Sequence, residues 1–293
     1  MKLIATPLLI LLTSAAVFAQ PKPPKLPKFN KNKEKEVFLK KQWFLGFKAG
    51  TNYSGVDVMR EYSALSPSNY DISETKKQYD VYRDAGAHAT LEATFYFTGL
   101  SLSFQPTYRH VTFGYRNSYS WIDEEIPTNA LELHYNQQQN LDYFDFPLLA
   151  KYEKMVNKFS PYVQAGIYSS IRLNATKSVE VQGTDYASGG VNQFKDETII
   201  VGAKDLYAKN HWGLLGGVGL YYNLGNVRLN LDVQYRKGMS NVTSTKNRYS
   251  NDQLSGVGDT LDDMRLNTLM VSLGSIFPLR FLSRNFRSTD NRK

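Results

Sequence analysis

The 293-residue chain carries 35 Lys and Arg against 27 Asp and Glu, 20 Tyr, 16 Phe and no Cys. Without Cys it can form no disulfide and hold no lipid on an N-terminal cysteine, and after residue 20 no stretch of about 18 apolar residues offers a transmembrane helix. The net charge of +8 is not that of a nucleic-acid groove: residues 21–42 hold +6, residues 278–293 hold +4 and Lys2 adds one, so the body between carries −3 and no nucleic-acid partner is expected.

Residues 1–19 read as a secretory signal peptide. Lys2 gives the positive start, Leu3 to Leu12 is almost wholly apolar, and Val17-Phe18-Ala19 supplies the small residue for cleavage. Residues 20–42 are a Pro/Lys-rich arm with little to bury. Residues 43–277 alternate with a period of two, because successive side chains of a strand point to opposite faces. Residues 278–293 are a basic tail.

Eight runs make up that body. Their apolar faces are the alternate positions of Trp43–Tyr53, Ala85–Phe97, Leu100–Tyr108, Phe144–Tyr152, Val163–Leu173, Leu214–Tyr222, Val227–Tyr235 and Leu269–Phe277. Connections after the second, fourth and sixth runs are short. Those after the first, third, fifth and seventh, near residues 56–79, 117–139, 175–208 and 238–263, are long and polar. This strict alternation predicts an all-β fold: an eight-stranded antiparallel transmembrane β-barrel with short periplasmic turns and four long extracellular loops. The expected location is the outer membrane of a Gram-negative bacterium, with both termini periplasmic. Aromatics near the ends of the apolar faces (Trp43, Phe95, Phe97, Tyr108, Tyr152, Trp212, Tyr222, Tyr235) suit interfacial girdles. Alternation alone does not say which face points out, so a soluble lipocalin-like barrel with its apolar face inward is the competing reading.

On the membrane reading the other face lines a lumen. It carries Lys48, Glu92, Arg109, Asp145, Lys151, Arg172, Arg228, Asp232 and Arg236. Eight strands leave a bore just wide enough for side chains to fill, so these charges are expected to pair and plug it. A small polar ligand or ion site is the alternative. No enzyme is expected, and neither catalytic residue, cofactor site nor metal site is assigned. His88 and Glu92 share a face but stand about 14 Å apart at the rise of a strand, too far for a base and its orienting carboxylate. His110, His134 and His211 fall near loops or strand ends without metal-ligand spacing. The Gly-rich run at Gly213, Gly216, Gly217 and Gly219 opens no helix; it is expected to make room for a bulky lumen neighbour such as Tyr168 or Arg228.

Outer-membrane lipid is the first partner expected. The basic ends (Lys22, Lys25, Lys28, Lys31, Lys33, Arg280, Arg284 and Arg287) are candidate contacts for periplasmic or membrane protein subunits. Loop aromatics Tyr119, Trp121 and Tyr135 offer a second docking surface.

Four segments stand out: Phe44-Leu45-Gly46-Phe47-Lys48-Ala49-Gly50, Leu100-Ser101-Leu102-Ser103-Phe104-Gln105-Pro106, the run from Leu141 to Tyr152 (LDYFDFPLLAKY), and Ser160-Pro161-Tyr162-Val163-Gln164-Ala165-Gly166. They resemble the outer-membrane β-barrel family of Bacteroidetes that includes PorT, of the type IX secretion and gliding apparatus. The resemblance implies an outer-membrane barrel that serves as an accessory or assembly component of an envelope machine such as type IX protein secretion. A stand-alone structural or loop-binding barrel and a lumen-site lipid-modifying enzyme are the alternatives. Asp259-Thr260-Leu261 resembles the O-glycosylation triplet of that phylum.

Overall fold

The structure is a computed structural model, and it describes residues 41–62, 76–156, 158–187, 190–224, 227–248 and 260–279. Contacts divide the chain into Met1–Phe38 and Leu39–Lys293, and every described residue lies in the second unit. The signal peptide, nearly all of the Lys-rich arm and all but the first two residues of the basic tail are outside the described residues.

The strands are β1 (Lys41–Arg60), β2 (Gln78–Tyr79), β3 (Ala85–Phe97), β4 (Leu100–Phe104), β5 (Thr107–Ile122), β6 (Ala130–Glu153), β7 (Phe159–Asp185), β8 (Asn192–Lys195), β9 (Ile199–Gly202), β10 (Asn210–Asn223), β11 (Arg228–Gly238) and β12 (Asp263–Pro278). Every pairing is antiparallel. The ring runs β1, β3, β4 with β5, β6, β7, β10, β11, β12 and closes where β12 pairs β1. β4 and β5 are one barrel strand broken at Gln105-Pro106, because a proline has no N–H for the ladder. Across the break Leu91 N donates to the Pro106 carbonyl at 3.0 Å and Gln105 N to that of Pro147 at 3.1 Å. The barrel therefore has eight strands.

The hairpin from β3 to β4 turns on two residues, Thr98 (φ 47°) and Gly99 (φ 89°). Both lie in the left-handed region that a type I′ turn demands, which matches the twist of its strands. This turn, the connection from β6 to β7 and that from β10 to β11 mark the short-turn end of the barrel.

The side chains settle the orientation of the two faces. Leu273 is 68% exposed and its neighbour Ser272 is 3% exposed; Phe47 is 58% exposed and Lys48 is 3% exposed. Across the middle of the barrel the exposed apolar residues face out and the buried charged residues face the bore. A soluble barrel with an apolar interior is excluded for this part of the molecule. Trp43, Tyr152, Trp212 and Tyr235 are all exposed at the ends of the apolar runs, where an amphipathic ring suits the headgroup level.

At the loop end β5, β6 and β7 outgrow their neighbours, and their polarity reverses. On β6 the outward positions pass from Phe146 and Phe144 to Asp142, Asn140, Gln138 and Asn136. On β7 they pass from Ile167 and Ile171 to Asn174, Thr176 and Ser178. Inward, the same strands bury Val111, Phe113, Tyr115, Leu141, Tyr143, Ala175 and Val179 in one apolar cluster. A register shift between Asp142 and Tyr143, opposite Arg172 and Asn174, lies at the changeover. The barrel is thus inside out across the hydrocarbon and conventionally packed above it. Two expected loops, 117–139 and 175–208, are largely strand for this reason. The period of two continues there with its apolar face turned inward, so a search for an outward apolar stripe stops at the membrane boundary.

Candidate functional site

From the short-turn end upward, the bore begins with an aromatic floor. Phe44, Tyr96, Tyr162, Tyr221 and Ile276 are buried together, and the rings of Tyr162 and Tyr221 stack at 4.6 Å. The guanidinium of Arg228 lies 4.2 Å from the Tyr221 ring centre. It donates from Nη2 to Glu153 Oε1 at 2.9 Å and from Nε to Asn223 Oδ1 at 2.7 Å.

Above the floor sits a chain of four charges. Lys48 Nζ donates to Asp232 Oδ2 and stands 3.8 Å from Glu92 Oε2. Lys151 Nζ donates to Glu92 Oε1 at 2.6 Å and to the Tyr221 hydroxyl at 3.0 Å, while Gln164 Nε2 donates to Asp232 Oδ1 at 2.6 Å. The next layer centres on Asp145. Arg109 grips it with two bonds of 2.7 and 3.3 Å, Arg236 Nη1 adds one at 2.5 Å and Ser170 Oγ another at 2.5 Å. All these groups are buried. Charges in such a place persist only when paired and hydrogen-bonded, since an ion stripped of water costs several kcal/mol.

Eight of the nine charges read from the sequence are therefore brought together, in three groups: Arg228 with Glu153; Lys48, Asp232, Glu92 and Lys151; Arg109, Asp145 and Arg236. Arg172 is the correction. It is half-buried near the changeover, donates to the Ala208 carbonyl at 3.4 Å and meets no carboxylate among the described residues. It pairs with the inward Tyr143 and so keeps the lumen side, but it stands at the upper end of that row, one step above the Asp145 layer and just before the register shift. Glu153 was missed, because it lies at the end of its run and reads as turn. His211 stands at the start of β10, a strand end as expected. It is buried in the bore against Tyr143 and Tyr168, with ring centres 4.6 and 6.1 Å away. His88 bonds through Nε2 to Ser272 Oγ at 2.7 Å. Among the described residues no carboxylate orients its other nitrogen, and both residues are buried, so the pair lacks the third member and the access of a working nucleophile.

The inward glycines of β10 have a steric reason. A Cβ on Gly213 would stand 2.6 Å from the Tyr168 hydroxyl, and one on Gly219 would stand 2.2 Å from Cζ of Tyr162. Tyr168 was anticipated as such a neighbour; beside Gly219 the bulk is Tyr162, not Arg228.

The loop end is closed by a cap that joins distant loops. Asp262 accepts from Tyr62 N at 2.8 Å, Lys77 Nζ at 3.0 Å and the Tyr79 hydroxyl at 2.8 Å. Burial pushes the Lys77 amine below its ordinary range, and Asp262 opposes the shift. Burial pushes the Tyr79 hydroxyl up. Leu206, Tyr207, Val242 and Leu261 complete the apolar cluster, and Tyr207 donates to Gln139 Oε1 at 2.8 Å. Thr260 is 3% exposed, so the triplet that resembles a glycosylation signal keeps its hydroxyl inside the cap.

The bore is thus a closed column: aromatic floor, two ionic layers, apolar cap. The model of the family described as outer membrane protein beta-barrel domain matches residues 18–244. The chain belongs to that family. Similar solved structures are the Neisserial surface protein A (13% identity, 80% of this chain and 96% of that one, TM-score 0.30). Others are the N-terminal β-barrel domain of Pseudomonas aeruginosa OprF (13%, 82% and 99%, 0.28) and Ail, the attachment invasion locus protein of Yersinia pestis (10%, 80% and 99%, 0.26). No curated protein matches. This outer-membrane barrel is anchored by its greasy belt, and the belt fixes which parts remain free to act: the two rims and the strands that rise past the changeover.

Proposed function

We propose that this outer-membrane barrel is a non-enzymatic, non-conducting accessory or assembly component of an envelope machine, acting through its rims. The observation that carries the reading is the filled bore. Asp145 held by Arg109 and Arg236, and the run from Lys48 to Lys151, occupy the axis with paired charges and leave transport through the lumen without a path. A barrel that neither conducts nor reacts works by presenting surfaces.

On this reading the short-turn end and both termini face the periplasm. The Lys-rich arm and basic tail then meet acidic faces of periplasmic or inner-membrane subunits. The segment Leu141 to Tyr152 and its PorT-like resemblance point to type IX secretion as the machine. A stand-alone barrel that binds through its loops is the second reading, favoured by the polar strands that project at the loop end.

Purification of the tagged chain from native membranes in mild detergent, with and without residues 21–36, tests the proposal. The expected result is a set of co-purifying envelope subunits that is lost with the arm, together with loss of secretion. If both survive deletion of residues 21–36, partner docking through the arm is wrong. Single-channel recording of the refolded chain should show no steady pore conductance; ohmic steps would overturn the closed-bore premise.

A further inference from the structure

Past the changeover, the outward face of β5, β6 and β7 carries a hollow of about 430 Å³, within the range of small-ligand sites. Its walls include Arg116, Lys76, His134, Asn136, Gln182 and Gln78, and no lining residue is acidic. We propose that this hollow is a binding site for an acidic saccharide, a short sugar chain that carries carboxylates.

The residues fit that chemistry. Arg116 stands opposite Asn136 in the β5–β6 register, and His134 opposite Gln182 in the β6–β7 register. The sheet therefore presents cation, imidazole and amides at fixed spacing, and a ligand has little backbone to order. Each amide offers a donor and an acceptor side by side, the pattern that matches neighbouring sugar hydroxyls; Gln182 Nε2 spends one of its two N–H groups on Glu180 Oε1 at 3.2 Å, a carboxylate that Lys195 also holds. Arg116 and Lys76 are more than half exposed. Among the described residues each has one carboxylate partner outside the hollow, Asp80 at 3.0 Å and Glu61 at 3.0 Å. A guanidinium has five N–H donors and an ammonium three, so one such partner does not use up either cation. Tyr135 also borders the hollow, but it is only 6% exposed and its side chain belongs to the inward apolar cluster. It offers no stacking face for a nucleobase or an aromatic side chain, and a hydroxyl-rich ligand suits the remaining polar walls.

The test is calorimetric titration of the full chain, refolded in detergent micelles, with trigalacturonic acid, maltotriose and inorganic phosphate. Trigalacturonic acid should bind, and maltotriose at least about tenfold more weakly, the loss of one charge-assisted hydrogen bond. Arg116→Gln and Asn136→Ala should each weaken the acidic trisaccharide by roughly tenfold. Gln138→Ala, next along the same face but outside the hollow, should leave it unchanged. All three positions are exposed, and the unboiled gel mobility of each variant reports its folding independently. The proposal is overturned if trigalacturonic acid does not bind, if Arg116→Gln binds it as tightly as the parent, or if phosphate competes at equal concentration and so reveals a simple anion site.

Discussion

Replacing Asp145 by Ala removes the acceptor on which Arg109, Arg236 and Ser170 all depend, at 2.7 and 3.3, 2.5 and 2.5 Å. Removing one partner of a buried ion pair costs about 3–5 kcal/mol, chiefly because the other charge stays buried and uncompensated. Two guanidiniums lean on this carboxylate, so the upper end, about 5 kcal/mol, is expected. At about 1.4 kcal/mol per factor of ten, the folded-to-unfolded ratio falls by more than about three orders of magnitude. Asp145→Asn keeps an acceptor oxygen but loses the charge, and should fall between. The combined change of Arg109→Met, Asp145→Leu and Arg236→Met removes the charges together and should restore most of the stability. Urea titration in lipid vesicles, read by gel mobility without boiling, measures all three. If Asp145→Ala costs under about 1 kcal/mol, the range of an exposed pair such as Lys76–Glu61, the ionic column does not hold the barrel closed.

Four further outcomes follow from the same geometry. Leu231→Arg, on the lipid face of β11, should cost about 2–4 kcal/mol of refolding free energy, while Gln138→Arg above the changeover should stay within about 0.5 kcal/mol; equal costs would misplace the membrane boundary. Gly219→Ala should cost about 1–3 kcal/mol, and Tyr162→Leu in the same chain should recover only part of it, because the new Cβ still meets the Leu231 carbonyl oxygen at 2.7 Å; the same titration measures both. Asp262→Ala should open the cap and speed limited proteolysis of the segments around Tyr62 and Lys77, which lose their bonds to the carboxylate, with the strands of the barrel left resistant. Backbone N–H bonds from Glu125 at 2.9 Å and Ile126 at 3.3 Å hold the Asp123 carboxyl below its usual range. The order this turn gains is therefore complete above the ordinary carboxylate pKa and is lost as pH falls through the lowered one. The amide shifts of Glu125 and Ile126 across an acid titration report it, and shifts that stay flat would contradict the assignment.

The eight strands were legible in the amino-acid order because the hydrocarbon demands a complete apolar stripe on each one, from Trp43 to Phe277, and the alternation of short and long connections follows from closing such strands into a ring. The charged lumen was legible for the same reason, since every residue between two greasy ones has only the bore to enter. Pairing was not. Nothing local says that Asp145 serves Arg109 and Arg236, that Lys151 reaches Glu92 on a strand it does not border, or that Glu153 closes on Arg228, because register and shear set those distances. Past the changeover the code itself changes: the membrane no longer requires grease outside, so β6 and β7 continue as strands with Asn136, Gln138 and Ser178 outward, and the sequence reads them as loop. Only the tertiary structure shows that loops distant in the chain meet at Asp262 and that an outward hollow forms where Arg116, Asn136 and Gln182 share one face. Those positions are fixed by neighbours brought together when the ring closes, and a linear pattern does not carry that information.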